Sequence, residues 1–465
     1  MKDNLIMNQS QSDAPSYDVF DEEKGSIYVL KGIRLNPGVT KLNFFCCLIF
    51  SVMTLFGTSG VNGIQLLILL DPKYYNVSQS SAGSINSLVL IIQASVAIVM
   101  SVPYGHLVDT VGRRMLVTLG AFSFLLGCLL LPSQKSIIPG FVMSFILITN
   151  ASTAFQSLPL MADYVAEESR GRAFATSAVV VGMAVLIPNL LTKYLLYADV
   201  PLGICYYIFG ISAFAGLLIN NLGLRKGTFG SKKQEDGQQK SPEKPFWQRM
   251  KEAYQIFKSN NWLQISLVLQ VLAASDFTIF MSYLSLYVKS LFPDGSSDGN
   301  ALVNNLQTIL ITLMMVAVPI YGFLLDKKNM IIQLCLFSLI GGAGALTLFS
   351  FVTQASDYKL YLGTFIFGST LPGLATITNL ITFKHYPAEK RGLMVGFAQF
   401  VTNSSYFVLA IGSGYLYDHW KRNGPFMVCA GMLALATIFV SLIYMRIPKE
   451  QKNSEVSSTE SKISA

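Results

Sequence analysis

Apolar runs of about 20 residues recur along the whole chain, and each can cross about 30 Å of hydrocarbon as a helix. Lipid offers a backbone no hydrogen bonds, so runs like these must satisfy their own N–H and C=O groups. Six fall in the first half, at 42–70, 82–104, 115–131, 138–161, 173–196 and 202–224, and six in the second, at 262–291, 301–325, 330–352, 360–383, 393–417 and 425–445. Only 13% of residues are charged, about half the share of a soluble chain and too few to clothe a water-facing surface. The pattern predicts an all-α integral membrane protein with twelve transmembrane helices in two pseudo-symmetric six-helix bundles. The chain then divides into an N-terminal tail (1–41), a first bundle (42–224), a polar linker (225–260), a second bundle (261–446) and a C-terminal tail (447–465). Within the linker, the stretch from Phe246 to Phe257 has amphipathic character.

Charge sets the expected orientation. The net charge of +8 comes from short basic clusters between apolar runs, not from one basic face, so a nucleic-acid partner is not expected. Most of the 34 Lys and Arg fall on the side that holds both tails and the linker, and cytoplasmic loops retain positive charge during insertion. Both tails and the linker are therefore expected in the cytoplasm, in either the plasma membrane or an endomembrane. Asn76-Val77-Ser78 is an N-glycosylation sequon in the first loop on the other side. The first 41 residues are polar, with acids from Asp18 to Glu23 and no short apolar core before a cleavage site. The first apolar helix is thus expected to direct insertion itself.

The chemistry of an enzyme is not visible. His106, His385 and His419 lie in or next to different loops, with no nucleophile and base pair and no metal-ligand spacing. Cys46, Cys47, Cys128, Cys205, Cys335 and Cys429 all sit inside apolar segments and read as packing residues. No cofactor and no metal are expected, and nothing resembles the filter of a channel.

After the second apolar run the chain reads Gly105-His106-Leu107-Val108-Asp109-Thr110-Val111-Gly112-Arg113-Arg114. Glycines permit a tight turn and close helix approach, while an aspartate can pair with arginines and cap a helix end. A degenerate copy, Gly322-Phe323-Leu324-Leu325-Asp326-Lys327-Lys328, follows the eighth run. A second pair follows the fourth and tenth runs, Glu167-Glu168-Ser169-Arg170-Gly171-Arg172 and Ala388-Glu389-Lys390-Arg391-Gly392-Leu393. Gly105 is about as far from Gly322 as Arg170 is from Arg391, as a duplicated six-helix unit requires.

The first of these segments resembles the signature between helices 2 and 3 of the major facilitator superfamily, with Thr110 where the family usually has arginine. The resemblance covers about residues 42–445. It implies solute transport by alternating access, with solute bound near the bilayer midplane between the halves. It also implies a gate at the cytoplasmic helix ends. Gly105, Asp109, Gly112, Arg113 and Arg114 belong to that gate, joined by Asp163, Glu167 and Arg170 and, in the second half, by Gly322, Asp326 and Arg391. The plainer reading of the charges is that they are insertion signals alone.

Polar groups at mid-helix depth are the candidates for solute or proton contact. Asp276 is the only acid there, and a carboxylate at that depth costs about 2.5–3.5 kcal/mol on insertion scales. At about 100° per residue, Phe280, Tyr283 and Tyr287 share its face, which suits a wet, partly apolar cavity. Asp276 reads either as a proton carrier or counter-ion to a cationic solute, or as a neutral carboxyl bonded to a neighbouring helix. The first run carries Ser51, Thr54, Thr58, Asn62 and Gln65 at helical spacing, the fourth Asn150, Thr153, Gln156 and Ser157, and the eleventh Gln399, Asn403 and Tyr406. Interhelical hydrogen bonding is the alternative role for each. Pro188 beside Asn189, and Pro372-Gly373 before Thr376 and Asn379, are kinks or tolerated packing sites.

Absences narrow the solute. The fourth run has Asn150 near the place of the arginine common in proton-coupled drug exporters of the superfamily, and 181–191 lacks the Gly-Pro-x-x-Gly-Gly run of drug antiporters. No Lys or Arg lies at mid-helix depth, since Lys193 and Lys289 sit near span ends, which disfavours polyanions. The expected function is secondary transport of a small neutral or cationic organic solute by a monomer in the lipid bilayer, proton-linked through Asp276. Facilitative uniport without ion coupling stays open. A transporter-like receptor would call for a broken gate or a long signalling tail.

Overall fold

The computed structural model describes residues 28–29, 32–77, 81–133, 140–156, 158, 160–166, 169–224, 246–292, 297–328, 330–386 and 391–447, without the side chains of some helical residues. The first half holds a short hairpin, β1 (Tyr28–Val29) and β2 (Ile33–Arg34), then α1 (Lys41–Leu70), α2 (Ala82–Thr110), α3 (Arg113–Ser133), α4 (Val142–Gln156), α5 (Leu160–Tyr164), α6 (Arg170–Tyr197) and α7 (Leu202–Gly223). The linker helix α8 (Phe246–Ser259) leads into α9 (Asn261–Lys289), α10 (Ser297–Lys328), α11 (Ile331–Ser350), α12 (Tyr358–His385), α13 (Arg391–His419) and α14 (Gly424–Arg446).

Ten of these helices are long and apolar enough to cross a bilayer. The shorter apolar α4 and the 28-residue α6 fill the fourth and fifth places, so the chain has the twelve-span all-α membrane fold. Local signals start the spans where polar chain meets apolar run. Thr40 accepts from Asn43 N in a reciprocal capping box before α1, Asn260 caps α9 by accepting from Trp262 N and Leu263 N, and Asp357 caps α12 by accepting from Lys359 N.

The fourth apolar run departs from a single span. It divides into α4 and α5, and the sequence between them carries Pro159, a residue type with no N–H to give to a helix. A second departure concerns the signature segment. α2 continues through Thr110, six residues past its apolar run, so Gly105 to Thr110 are helix and only the Val111–Gly112 turn separates α2 from α3. Gly112 takes φ 97°, the left-handed region that favours glycine.

Two large apolar cores follow the two halves. One draws on α1, α3, α4, α6 and α7, and the other on α9 to α14 with Leu90 and Ala94 of α2. The bundles meet along two main helix pairs, α2 with α13 and α6 with α10. Exchanging the halves turns one pair into the other, as an internal repeat requires. The end of the molecule that carries Gly112 and Arg113 is called the motif end below. All six cysteines are buried.

The chain before α1 is not a loose tail throughout. β1 and β2 pair antiparallel, and Leu35 bridges to Val165 just beyond α5. Ala166 N donates to Arg34 O at 2.9 Å, Arg34 N to Ser169 Oγ at 3.0 Å and Asn36 Nδ2 to Asp163 O at 2.8 Å. Val29, Ile33, Leu35 and Val39 are buried in the first core. Residues 1–27, most of the linker and the chain after 447 lie outside the described residues, as does Ser78 of the sequon.

Candidate functional site: a gate pair and a polar seam

At the motif end, Arg113 and Asp163 form a buried pair. Arg113 Nη2 lies 2.8 Å and Nε 3.0 Å from Asp163 Oδ2, with side-chain exposures of 3% and 4%. Arg113 Nη1 also donates to Val108 O at 3.1 Å. The guanidinium thus ties the end of α2 and the start of α3 to α5 by charge-assisted bonds in a dry place. Arg114 does something else. Its Nε donates to Leu224 O at 2.7 Å and its Nη2 to Leu222 O at 2.5 Å, so it satisfies carbonyls left open at the end of α7. The described bonds of both arginines fall within the first bundle. The resemblance implied a lock across helix ends, and the described bonds of these two residues lock the ends of one bundle.

Gly105 is buried where α2 meets α13. A Cβ added at Gly396 would lie 3.1 Å from Ser101 O and 3.6 Å from Gly105 Cα, so the two helices touch backbone to backbone there. Gly322 is buried at the matching place on α10. The side chains of Asp109, Arg170, Asp326 and Arg391, and all of Glu167, lie outside the described residues.

At the opposite end α2 and α13 pack again. Ser87 Oγ donates to Ala410 O at 2.6 Å, Ser84 bonds the Asp418 carboxylate, and a Cβ at Gly414 would run into Ser87. Between these contacts a polar seam lies buried among α2, α9 and α13. Asn86 is 4% exposed, Tyr283 0%, Thr402 2% and Tyr406 8%. Among the described residues, Asn86 Nδ2, Tyr283 OH, Thr402 Oγ1, Asn403 Nδ2 and Tyr406 OH have no hydrogen-bond partner. The Tyr283 hydroxyl lies beside Ser87 and Asn86 without completing a bond of ordinary geometry, and its ring stands 5.5 Å from that of Tyr417. Buried polar groups are nearly always paired, so the unpaired groups of Asn86, Tyr283 and Tyr406, with those of Thr402 and Asn403 about a turn away along α13, call for an explanation. Hydropathy had pointed to Tyr283, Asn403 and Tyr406. It passed over Asn86 and Ser87, whose only signal was an adjacent polar pair early in an apolar run.

Asp276 sits away from that seam, in the interior of the second bundle. It is 0% exposed, both carboxyl oxygens lack a hydrogen-bond partner among the described residues, and Cys429 of α14 lies beside it. The face it shares with Phe280, Tyr283 and Tyr287 is dry and packed, where a wet cavity was expected. Phe280 meets Phe349, Phe367 and Phe426 at ring distances of 5.1, 4.4 and 5.7 Å. Tyr287 OH donates to Val352 O at 3.0 Å.

The other polar candidates divide. Asn150 accepts from Tyr104 OH at 2.5 Å and donates to Ser123 Oγ at 3.2 Å, so its amide joins α2, α3 and α4. Ser51, Thr58 and Thr153 donate to carbonyls of their own helices. Gln65 is buried, Gln399 half-buried, and Asn62 and Gln156 are exposed. Ser157 lies outside the described residues.

Two helical bundles joined by symmetry-related helix pairs, with a polar seam between them and a buried ion pair at one end, define a two-bundle membrane transporter. The chain belongs to the Major Facilitator Superfamily, whose profile it matches over residues 44–408 and 337–463. It is a secondary transporter and not an enzyme. Among curated relatives it is 25% identical over 168 residues to the multidrug resistance protein MdtG of Klebsiella pneumoniae (strain 342). That match spans 36% of this chain and 40% of the relative. Two solved folds superpose over 86% of this chain. The human organic anion transporter MFSD10 (TETRAN) does so at TM-score 0.60 and 12% identity, over 99% of its own length. The proton:xylose symporter XylE, bound to 6-bromo-6-deoxy-D-glucose, does so at TM-score 0.61 and 15% identity, over 94% of its length.

Proposed function

We propose that this transporter moves a small neutral or cationic organic solute by alternating access and binds it along the seam of α2, α9 and α13. The unpaired Asn86 Nδ2, Tyr283 OH, Thr402 Oγ1, Asn403 Nδ2 and Tyr406 OH carry this reading. They are hydroxyl and amide groups, which hydrogen-bond a neutral polar solute without demanding a charge, and a solute that entered the seam would satisfy them. Gln399, on the same helix as Asn403, and Asn62, Gln65 and Gln156 of the first bundle are the further contacts proposed. No Lys or Arg stands beside these five groups at mid-helix depth, which disfavours a polyanion.

Asp276 is the proposed proton site. The carboxyl is buried away from water, so the group exchanges a proton only as the second bundle changes its packing. The motif end is proposed to face the cytoplasm, from the Lys and Arg bias, in the plasma membrane or an endomembrane. The protein is proposed to work as a monomer. The Arg113–Asp163 pair supports the gating role proposed for the motif residues, including Asp109, Glu167, Arg170, Asp326 and Arg391. The solute comes from these residues alone, since the fold is shared by a symporter of a sugar and a carrier of organic anions.

Uptake into proteoliposomes tests the seam. With the first neutral or cationic compound that wild-type vesicles accumulate, Tyr283→Phe combined with Asn86→Ala is expected to raise KM about thirtyfold, at about 1 kcal/mol for each of the two hydrogen bonds removed, with kcat nearly unchanged. An unchanged KM would place the solute elsewhere.

A further inference from the structure

The linker helix α8 has three kinds of surface. Met250, Ala253 and Phe257 are buried, and they pack with Val102 of α2, Leu263 of α9, Tyr386, and Met394, Phe397 and Ala398 of α13. The Phe257 ring stands 5.2 Å from Phe397 and 5.8 Å from Tyr386. Arg249 Nη1 donates to His106 Nδ1 of α2 at 2.6 Å. α8 therefore lies across the joint between the bundles at the motif end.

Roughly 100° round the helix from this buried face, at about 100° per residue, Trp247, Lys251, Tyr254 and Lys258 fall in one stripe at spacings of four, three and four. Trp247 is 76% exposed and Tyr254 54%, and both lysines are exposed. Further round, Gln248, Glu252, Gln255 and Ser259 make a polar side with one acid. Only Asn260 separates α8 from α9, so the end of α8 is pinned at the depth where a membrane span begins.

We propose that this stripe binds anionic phospholipid headgroups of the bilayer in which the protein sits. Tryptophan and tyrosine favour the headgroup level, where one end of the ring is apolar and the other wet. Lysines beside them reach negative headgroups while their stems lie along apolar surface. The glutamine side then faces water, and the three surfaces meet protein, lipid and solvent in turn. A lipid held there rests on the helix that spans the joint between α2 and α13. The inference is independent of the solute and of transport itself.

The test uses the purified full chain in phosphatidylcholine vesicles that contain either brominated phosphatidylglycerol or brominated phosphatidylcholine, at equal bromine content. The signal is the tryptophan quenching lost in Trp247→Phe. Phosphatidylglycerol is expected to quench Trp247 more strongly, with a preference that added salt weakens. Lys251→Gln with Lys258→Gln is expected to cut that preference by roughly fivefold for each lysine while quenching by phosphatidylcholine persists. Equal quenching by the two lipids, or a preference unchanged in the double variant, would overturn the proposal. So would a Trp247 that neither lipid quenches, which would leave the stripe facing water or a protein partner.

Discussion

Asp276→Asn is expected to abolish solute uptake driven by a pH gradient while leaving solute exchange between the two sides of the vesicle intact. Asparagine matches the carboxyl in size and cannot take up a proton, so the substitution separates coupling from binding. Asp276 is fully buried with both oxygens unpaired, so an amide meets the same packing and the fold should survive. Coupling requires a group whose protonation differs between two packings of the second bundle, and the surroundings of Asp276 supply the reason for a difference. Cys429 and three phenylalanines packed round Phe280 enclose that face of α9. A shift of α9 against α14 would let water reach the carboxyl. The expected loss of gradient-driven accumulation is at least tenfold, measured as initial rates with and without an imposed gradient. Wild-type rates and an unchanged response to the gradient would remove Asp276 from coupling and favour uniport.

The second large effect is on stability. Removing one member of a buried ion pair leaves the other charge without its partner, at a cost of about 3–5 kcal/mol. Arg113 and Asp163 are 3% and 4% exposed and share two short bonds, so Asp163→Ala should cost near that full amount. In detergent the unfolding midpoint should fall on the order of 5–10 °C. Replacing both members, Arg113→Met with Asp163→Leu, should restore part of the midpoint, because the two buried charges leave together. Should Asp163→Ala unfold with the wild-type midpoint, the pair does not hold α3 to α5 as described.

The fold was largely legible because lipid leaves a chain few options. Twelve apolar runs had to become helices, and the paired motifs at matching offsets named the two bundles. Arg113 was singled out through the resemblance, and its partner Asp163 was among the residues expected near it. The directions of side chains were harder to read. The helical wheel put Asp276, Phe280, Tyr283 and Tyr287 on one face, and that grouping holds. Hydropathy does not tell whether such a face turns toward the other bundle or into its own, and only Tyr283 reaches α2. Asn150 looked like a solute contact by depth, yet its amide joins three helices of one bundle. The Leu35–Val165 bridge is a single pair of positions far apart in sequence, too short to leave a periodic pattern. α2 overran its apolar segment because the residues beyond Tyr104 pack on protein rather than lipid, Gly105 against α13, His106 against Arg249 of α8 and Val108 against Leu116 and Ala154.

The central claim is that solute crosses because α2 and α13 part at one end while they close at the other. Ser84 and Asp418 bond each other at the end opposite the motif, so a Ser84→Cys and Asp418→Cys pair should cross-link there under mild oxidation. In proteoliposomes that accumulate a neutral or cationic solute, the cross-link is predicted to stop uptake almost completely and reduction to restore it. Undiminished uptake by the fully cross-linked protein would contradict alternating access at this seam.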